Sequence, residues 1–243
     1  MATFNESDLL ALLLKNTALR LVEPNIYSIL PDDEAINEYD TRFGYIYDWV
    51  ECNRIYNRLI WGYSINIFSQ IANDALKSTK QGKVLDLGCG SLAFTANTYS
   101  QYSERPVVLV DQSLNMLRIA KSRLIKKSGE VPENLIFLHA DALHLPFQDK
   151  TFETILCENL LHCIDNTSSL LEQLAKIISE DGKMYFTTLV KNSRFADKYI
   201  QALADRGKLV PRTMSDHKEI FDQVRLSMKY ETIGSISIIY CEK

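Results

Sequence analysis

A chain of 243 residues, 46% hydrophobic and 24% charged, has the length and composition of one α/β domain with decorations or of two small domains, which excludes general disorder. Its net charge of -4 and pI near 5.6 leave no broad basic surface, so nucleic acid is not an expected partner. Five cysteines (Cys52, Cys89, Cys157, Cys163 and Cys241) lack CxxC spacing, which argues against a metal site or disulfide framework and for a reducing, cytoplasmic setting, and no stretch is long enough to span a membrane.

The first element follows "NESD", a helix start signal, and runs through "LLALLL". Glu6 and Asp8 precede that run where a secretion signal needs positive charge, so it reads as an amphipathic or buried helix. Helical patterning continues to about residue 80, broken at Pro24, Pro31 and Gly44, with Tyr39, Tyr45, Tyr47, Trp49, Tyr56 and Trp61 concentrated in one stretch. Residues 1–80 are therefore expected to form an N-terminal helical cap.

From residue 83 the pattern changes. Short apolar runs, "KVLDL" (83–87), "PVVLVD" (106–111), "NLIFLHAD" (134–141), "FETILC" (152–157) and "GKMYFTTLV" (182–190), alternate with segments of helical period. In 113–127, Leu114, Leu117, Ala120 and Leu124 fall on one face behind Ser113, a candidate N-cap. Strands joined by crossover helices predict a mainly parallel sheet covered on both faces. "MKYETIGS" and "SISIIYCEK" leave no room for a helix and predict an antiparallel hairpin about Gly234. The expectation for residues 81–243 is a doubly wound α/β fold with seven strands, and 191–228 is a candidate cap over a substrate.

Ligands of such sheets bind at the carboxyl ends of the strands, where strand order reverses. The first predicted strand leads into "VLDLGCGSLAFT" (84–95), in which Gly88, Gly90 and Ala93 satisfy the loose dinucleotide pattern G-x-G-x-x-G/A. That leaves an oxidoreductase binding NAD(P) as one reading. Asp86 argues against it. A carboxylate two residues before the first glycine would face a pyrophosphate at short range, and one such like-charge pair at 4 Å costs roughly 4 kcal/mol at an effective dielectric near 20. The same carboxylate suits a ligand without phosphate that carries positive charge.

These residues resemble the class I methyltransferase family, whose first motif runs acidic-x-Gly-x-Gly and whose cofactor is S-adenosylmethionine, a nucleoside bearing a sulfonium and an ammonium. The resemblance covers about residues 80–190 and is to the small-molecule type, which includes methyltransferases of quinone biosynthesis. It implies that Asp86, Gly88, Cys89 and Gly90 form the cofactor turn, with Cys89 a small filler whose backbone faces the ligand. It implies that Asp111, beside Gln112, takes the ribose hydroxyls and that Asp141, beside Ala142, meets the adenine. "CENLLHCID" is similar to the family's stretch along the methyl-transfer site, which places Glu158 near the cofactor and Asn159 and His162 near the acceptor. "YDWVECNRIYNRLIWG" is similar to an entry segment. Arg58 and Trp61 are then expected over the cofactor, and Tyr39 and Tyr47 in the substrate pocket.

Where the family often has a third glycine this chain has Leu92, expected to narrow the space beside the cofactor's amino-acid tail. His162 is the candidate general base, since an unperturbed imidazole titrates near neutrality. Basic residues between 191 and 218, including Lys191, Lys198, Lys208 and Arg212, point to a polar or anionic small-molecule acceptor. The expected particle is a monomer or homodimer. A non-catalytic methyltransferase-like binding protein is the remaining alternative.

Overall fold

The computed structural model describes residues 2–31, 57–192 and 195–243. Tyr39 and Tyr47 lie outside the described residues. Helix α1 (Glu6–Leu10) begins as the sequence predicts: Asn5 Oδ1 accepts the Asp8 N–H at 3.1 Å and Asp8 Oδ2 accepts the Asn5 N–H at 3.0 Å. This reciprocal pair satisfies two of the amides that every helix start leaves unpaired.

The chain then enters strands β1 (Arg20–Glu23) and β2 (Ile26–Ser28), which form an antiparallel pair about Asn25, a residue in the left-handed region at φ 68°. These two strands lie where a helical cap is expected and bring the sheet to nine strands instead of the expected seven. β2 continues the sheet by running parallel to β5 (Leu135–His139), with Ile26 opposite Phe137. Pro24 and Pro31 cut the helical pattern into a piece too short for a stable helix, while the sheet edge offers hydrogen-bond partners to an extended chain.

The remaining strands are β3 (Val84–Leu87), β4 (Val107–Asp111), β6 (Phe152–Glu158), β7 (Ile178–Leu189), β8 (Met228–Ile233) and β9 (Ile236–Glu242). Among the described residues they make one nine-stranded sheet in the order β1-β2-β5-β4-β3-β6-β7-β9-β8. From β2 to β7 every neighbour is parallel; β9 is antiparallel to β7 and to β8. The predicted C-terminal hairpin turns at Gly234, whose φ of 62° suits glycine.

Alternation along the strands divides the core. Leu85, Leu87, Val108, Val110, Ile136 and Leu138 pack in one cluster with Leu170 and Leu174 of α5 (Thr167–Ile177). Val84, Val107, Leu109, Leu135 and Phe137 face the other way, against α3 (Ala96–Gln101) and α4 (Leu114–Ser128). Ser113 caps α4, its hydroxyl accepting the Met116 N–H at 3.2 Å, and Leu117, Ala120 and Leu124 are fully buried. A third cluster joins α2 (Asn66–Ser78) to α6 (Ala196–Ala204) and β9 through Phe68, Ile71, Ile200 and Ile238. With both faces covered, β3 has no solvent side, and Asp86 is its one polar residue.

Candidate functional site

Strand order reverses at β3, between β4 and β6. A cavity of about 420 Å³ opens at the carboxyl ends of these strands and of β5, lined by Asp86, Gly88, Cys89, Gly90, Asp111, Gln112, Asp141, Ala142, Glu158 and Asn159, together with Phe68, Phe94 and residues of two loops. The sheet thus gathers residues from four strand ends, up to 73 positions apart from Asp86 to Asn159, into one hollow.

The glycine turn is built backward from β4. The N–H groups of Gly88 and Cys89 both donate to the Val110 carbonyl, at 2.8 and 3.0 Å. This bends the chain sharply, and Gly88 and Gly90 take φ values of 73° and 54°. A Cβ on Gly90 would meet nothing within 4 Å, so backbone conformation and not crowding calls for glycine there.

Leu92 also lies in the left-handed region, at φ 53°, and is 1% exposed. Its side chain packs in the cluster of Tyr99, Leu117 and Leu124 and is absent from the cavity lining. The expected narrowing beside the cofactor tail is therefore not what this leucine does. Its strained backbone costs on the order of 1–2 kcal/mol, and burial of the isobutyl group offsets that by a similar amount.

Asp86 is 3% exposed and its Oδ2 accepts a 2.6 Å hydrogen bond from the Tyr99 hydroxyl. Burial pushes this carboxyl up to about 7, opposed by the Tyr99 hydrogen bond and helped by the charge of Asp111. Asp111 spends one lone pair on each side of the turn: Oδ2 accepts from Gly90 N–H and Oδ1 from Ser113 N–H, both at 2.8 Å. Asp141 accepts from Leu143 N–H at 3.0 Å and pairs with the exposed His144 ring at 2.6 Å, a partner that sequence reasoning did not find.

At the end of β6, Glu158 Oε1 and Asn159 Oδ1 are buried with no hydrogen-bond partner among the described residues. Burial, then the Asp86 charge, holds the Glu158 carboxyl well above the usual carboxylate range. Asn159 adopts φ 55° while its N–H donates to the Thr187 carbonyl at 2.9 Å, so a left-handed backbone at the strand end fixes the residue. Unpartnered acceptors inside a cavity call for a donor from outside the chain.

Other expected site residues are elsewhere. His162 is 5% exposed, is not part of the cavity lining, and its Nδ1 accepts the Leu189 N–H at 3.1 Å. Burial, with His217 and Arg212 beside it, pushes its ring down to about 3, so at neutral pH it is an uncharged buried histidine. Trp61 is 6% exposed and meets Tyr199 edge to face at 5.3 Å, within the third core cluster, and Arg58 is exposed; neither lines the cavity. Sequence reasoning missed Phe68 and Phe94, which stack at 4.8 Å on the cavity wall. Gly207 and Lys208 reach the cavity from the predicted insertion, where they also line a second hollow of about 410 Å³ with Gln201, Asp205 and Val210. Among the described residues no cluster suits a metal ion, and no helix is long and apolar enough to cross a membrane.

The donor set fits a nucleoside with a cationic tail. A carboxylate aligned on the turn can take ribose hydroxyls, and the orphaned oxygens of Glu158 and Asn159 suit an ammonium. Comparison with known proteins agrees. The family described as "Methyltransferase domain" matches residues 78–232. An uncharacterized protein of Methanocaldococcus jannaschii is 29% identical over 57% of this chain and 56% of its own length. The ubiquinone/menaquinone biosynthesis C-methyltransferase UbiE of Cellvibrio japonicus is 26% identical over 62% of this chain and 63% of its own length. The chain thus spans less than two thirds of these relatives. A crystal structure titled as a SAM-dependent methyltransferase from Aquifex aeolicus shares the fold, with TM-score 0.57 at 17% identity over 76% of this chain and 92% of the other.

Proposed function

Because this chain belongs to the methyltransferase domain family, we propose that it is an enzyme that uses S-adenosylmethionine to methylate a small molecule. One observation carries the reading. Four carboxyl groups, those of Asp86, Asp111, Asp141 and Glu158, line one cavity at a glycine turn, with Lys208 the one lysine or arginine beside them among the described residues. That wall suits a positively charged, phosphate-free nucleoside and repels a pyrophosphate.

When bound, the cofactor supplies an electrophilic methyl group open to in-line displacement by an acceptor. The chain's part is to align and to exclude water, which is worth up to roughly 7–11 kcal/mol in favourable cases. Asp111 and Gln112 hold the ribose end, and Asp141 with Ala142 the base. Asp86, Glu158 and Asn159 surround the amino-acid tail. Among the described residues the lining holds no histidine, so His162 is not assigned as a base and alignment carries the step. The second hollow adjoins the first at Cys163, Gly207 and Lys208, and its polar lining supports a polar acceptor. Four free cysteines among the described residues fit a reducing cytoplasm, and the acidic balance gives nucleic acid no footing. The particle is expected as a monomer or homodimer.

Calorimetric titration with S-adenosylhomocysteine and with reduced nicotinamide cofactor separates the readings. Binding of the first and not the second is expected; the reverse overturns the proposal. Transfer of labelled methyl from S-adenosylmethionine into a small-molecule extract then identifies the product. Cofactor binding with no transfer to any fraction would instead favour a non-catalytic binding protein.

A further inference from the structure

β2 runs parallel to β5 with Ser28 opposite His139. His139 is 1% exposed, and its two ring nitrogens have different partners. Nδ1 stands 2.9 Å from Ser28 Oγ, and Nε2 stands 3.1 Å from the carbonyl oxygen of Gln112. A carbonyl only accepts, so Nε2 carries the proton. Nδ1 meets the Ser28 hydroxyl, which can donate or accept. Ser28 Oγ is itself held by the Leu30 N–H at 3.2 Å.

Gln112 is the residue on which this chain of contacts ends, and it lines the cavity between Asp111 and Ser113. On one side the Asp111 carboxylate grips the Ser113 N–H at 2.8 Å; on the other the His139 ring grips the Gln112 carbonyl. The Gln112–Ser113 peptide is thus held at both ends, its N–H by the Asp111 carboxylate that also accepts from Gly90 and its carbonyl by the ring. We infer that His139 is a positioning residue of the ligand site: braced by Ser28 of the N-terminal strand, it holds the Gln112 carbonyl and through that peptide the Asp111 carboxylate. The strand pair added to the sheet edge thereby becomes part of the site's support. Where the ligand is concerned, this inference rests on the cofactor reading proposed above.

Three variants test it. His139→Gln keeps a donor at the position of Nε2, His139→Asn keeps only the position of Nδ1, and Ser28→Ala removes the hydroxyl that braces the ring. Calorimetry with S-adenosylhomocysteine is expected to find His139→Gln within about twofold of the parent. His139→Asn and Ser28→Ala should bind about fivefold more weakly, the loss of one neutral hydrogen bond. Amide exchange at Ser113 in the ligand-free protein should accelerate in the same two variants and not in His139→Gln. Equal affinity and equal exchange in all four proteins would overturn the inference. So would losses in His139→Gln and His139→Asn that match each other and simply follow melting temperature. If the parent does not bind S-adenosylhomocysteine, the cofactor reading fails, and Ser113 exchange still decides the relay by itself.

Discussion

Tyr99 donates its hydroxyl to Asp86 Oδ2 at 2.6 Å, joining the helix after the glycine turn to the strand before it. Both groups are buried, so neither can exchange this partner for water. Tyr99→Phe leaves Asp86 Oδ2 without its donor, which is expected to lower folding stability by about 1–3 kcal/mol. Urea unfolding at pH 8, where the carboxyl is ionised, checks this.

The same carboxyl makes stability depend on pH. Its folded pKa of about 7 lies above the ordinary 3.8, so between those values the folded chain holds a proton that the unfolded chain has released. Stability from this group is therefore greatest at low pH and falls as pH rises toward 7. Asp86→Asn removes that slope, so its stability relative to the parent should grow between pH 4 and pH 7–8, by on the order of a few kcal/mol. A difference that is flat with pH would contradict the assignment.

Asp111→Ala is expected to weaken S-adenosylhomocysteine binding by about 1.5–3 kcal/mol, through lost hydrogen bonds to a charged group. The structure adds a second consequence: the Gly90 and Ser113 amides lose their acceptor together. Unchanged affinity in a calorimetric titration would remove Asp111 from the ribose contact.

Leu92→Gly tests the reading that this side chain serves the core. Relief of the left-handed leucine returns about 1–2 kcal/mol, whereas emptying a buried leucine site costs about 2–5 kcal/mol. A net loss of stability is expected, with affinity for S-adenosylhomocysteine unchanged within about twofold because the group is absent from the cavity wall. A large affinity change at constant stability would point back to the cavity.

His162→Asn should lower the melting temperature and leave the shape of the rate–pH profile intact. Asparagine can still accept from the Leu189 N–H, and a ring already pushed down to about 3 contributes no step near neutrality. Loss of a titration step near pH 6–7 in the variant would restore His162 as a base.

Periodicity made most of the fold legible. Runs buried on both faces, such as 107–110, can only be interior parallel strands, and the absence of a crossover before 236 forced an antiparallel hairpin. Asp86, Asp111 and Asp141 could be placed along the cavity because each lies within two residues of a strand's carboxyl end, where topology fixes position. His162 was not, because it sits one turn beyond β6, where side-chain direction depends on how the short helical segment Leu161–Cys163 coils. Leu92 was misread for the same reason: a left-handed residue turns its side chain away from where a neighbour's pattern would aim it. β1 and β2, at four and three residues, are too short to impose any period.

The position of β9 sets an order of events. It inserts between β7 and β8, so the rim of β7 stays uncovered until residues 236–242 arrive, and β8 has nothing to join before then. At the far margin Ile26 waits for Phe137. During vectorial synthesis both margins of the sheet are thus open for most of translation, a long-range topology that folds slowly and exposes sticky edges. A nascent chain halted before residue 236 should engage chaperones, and release of the following seven residues should end that engagement.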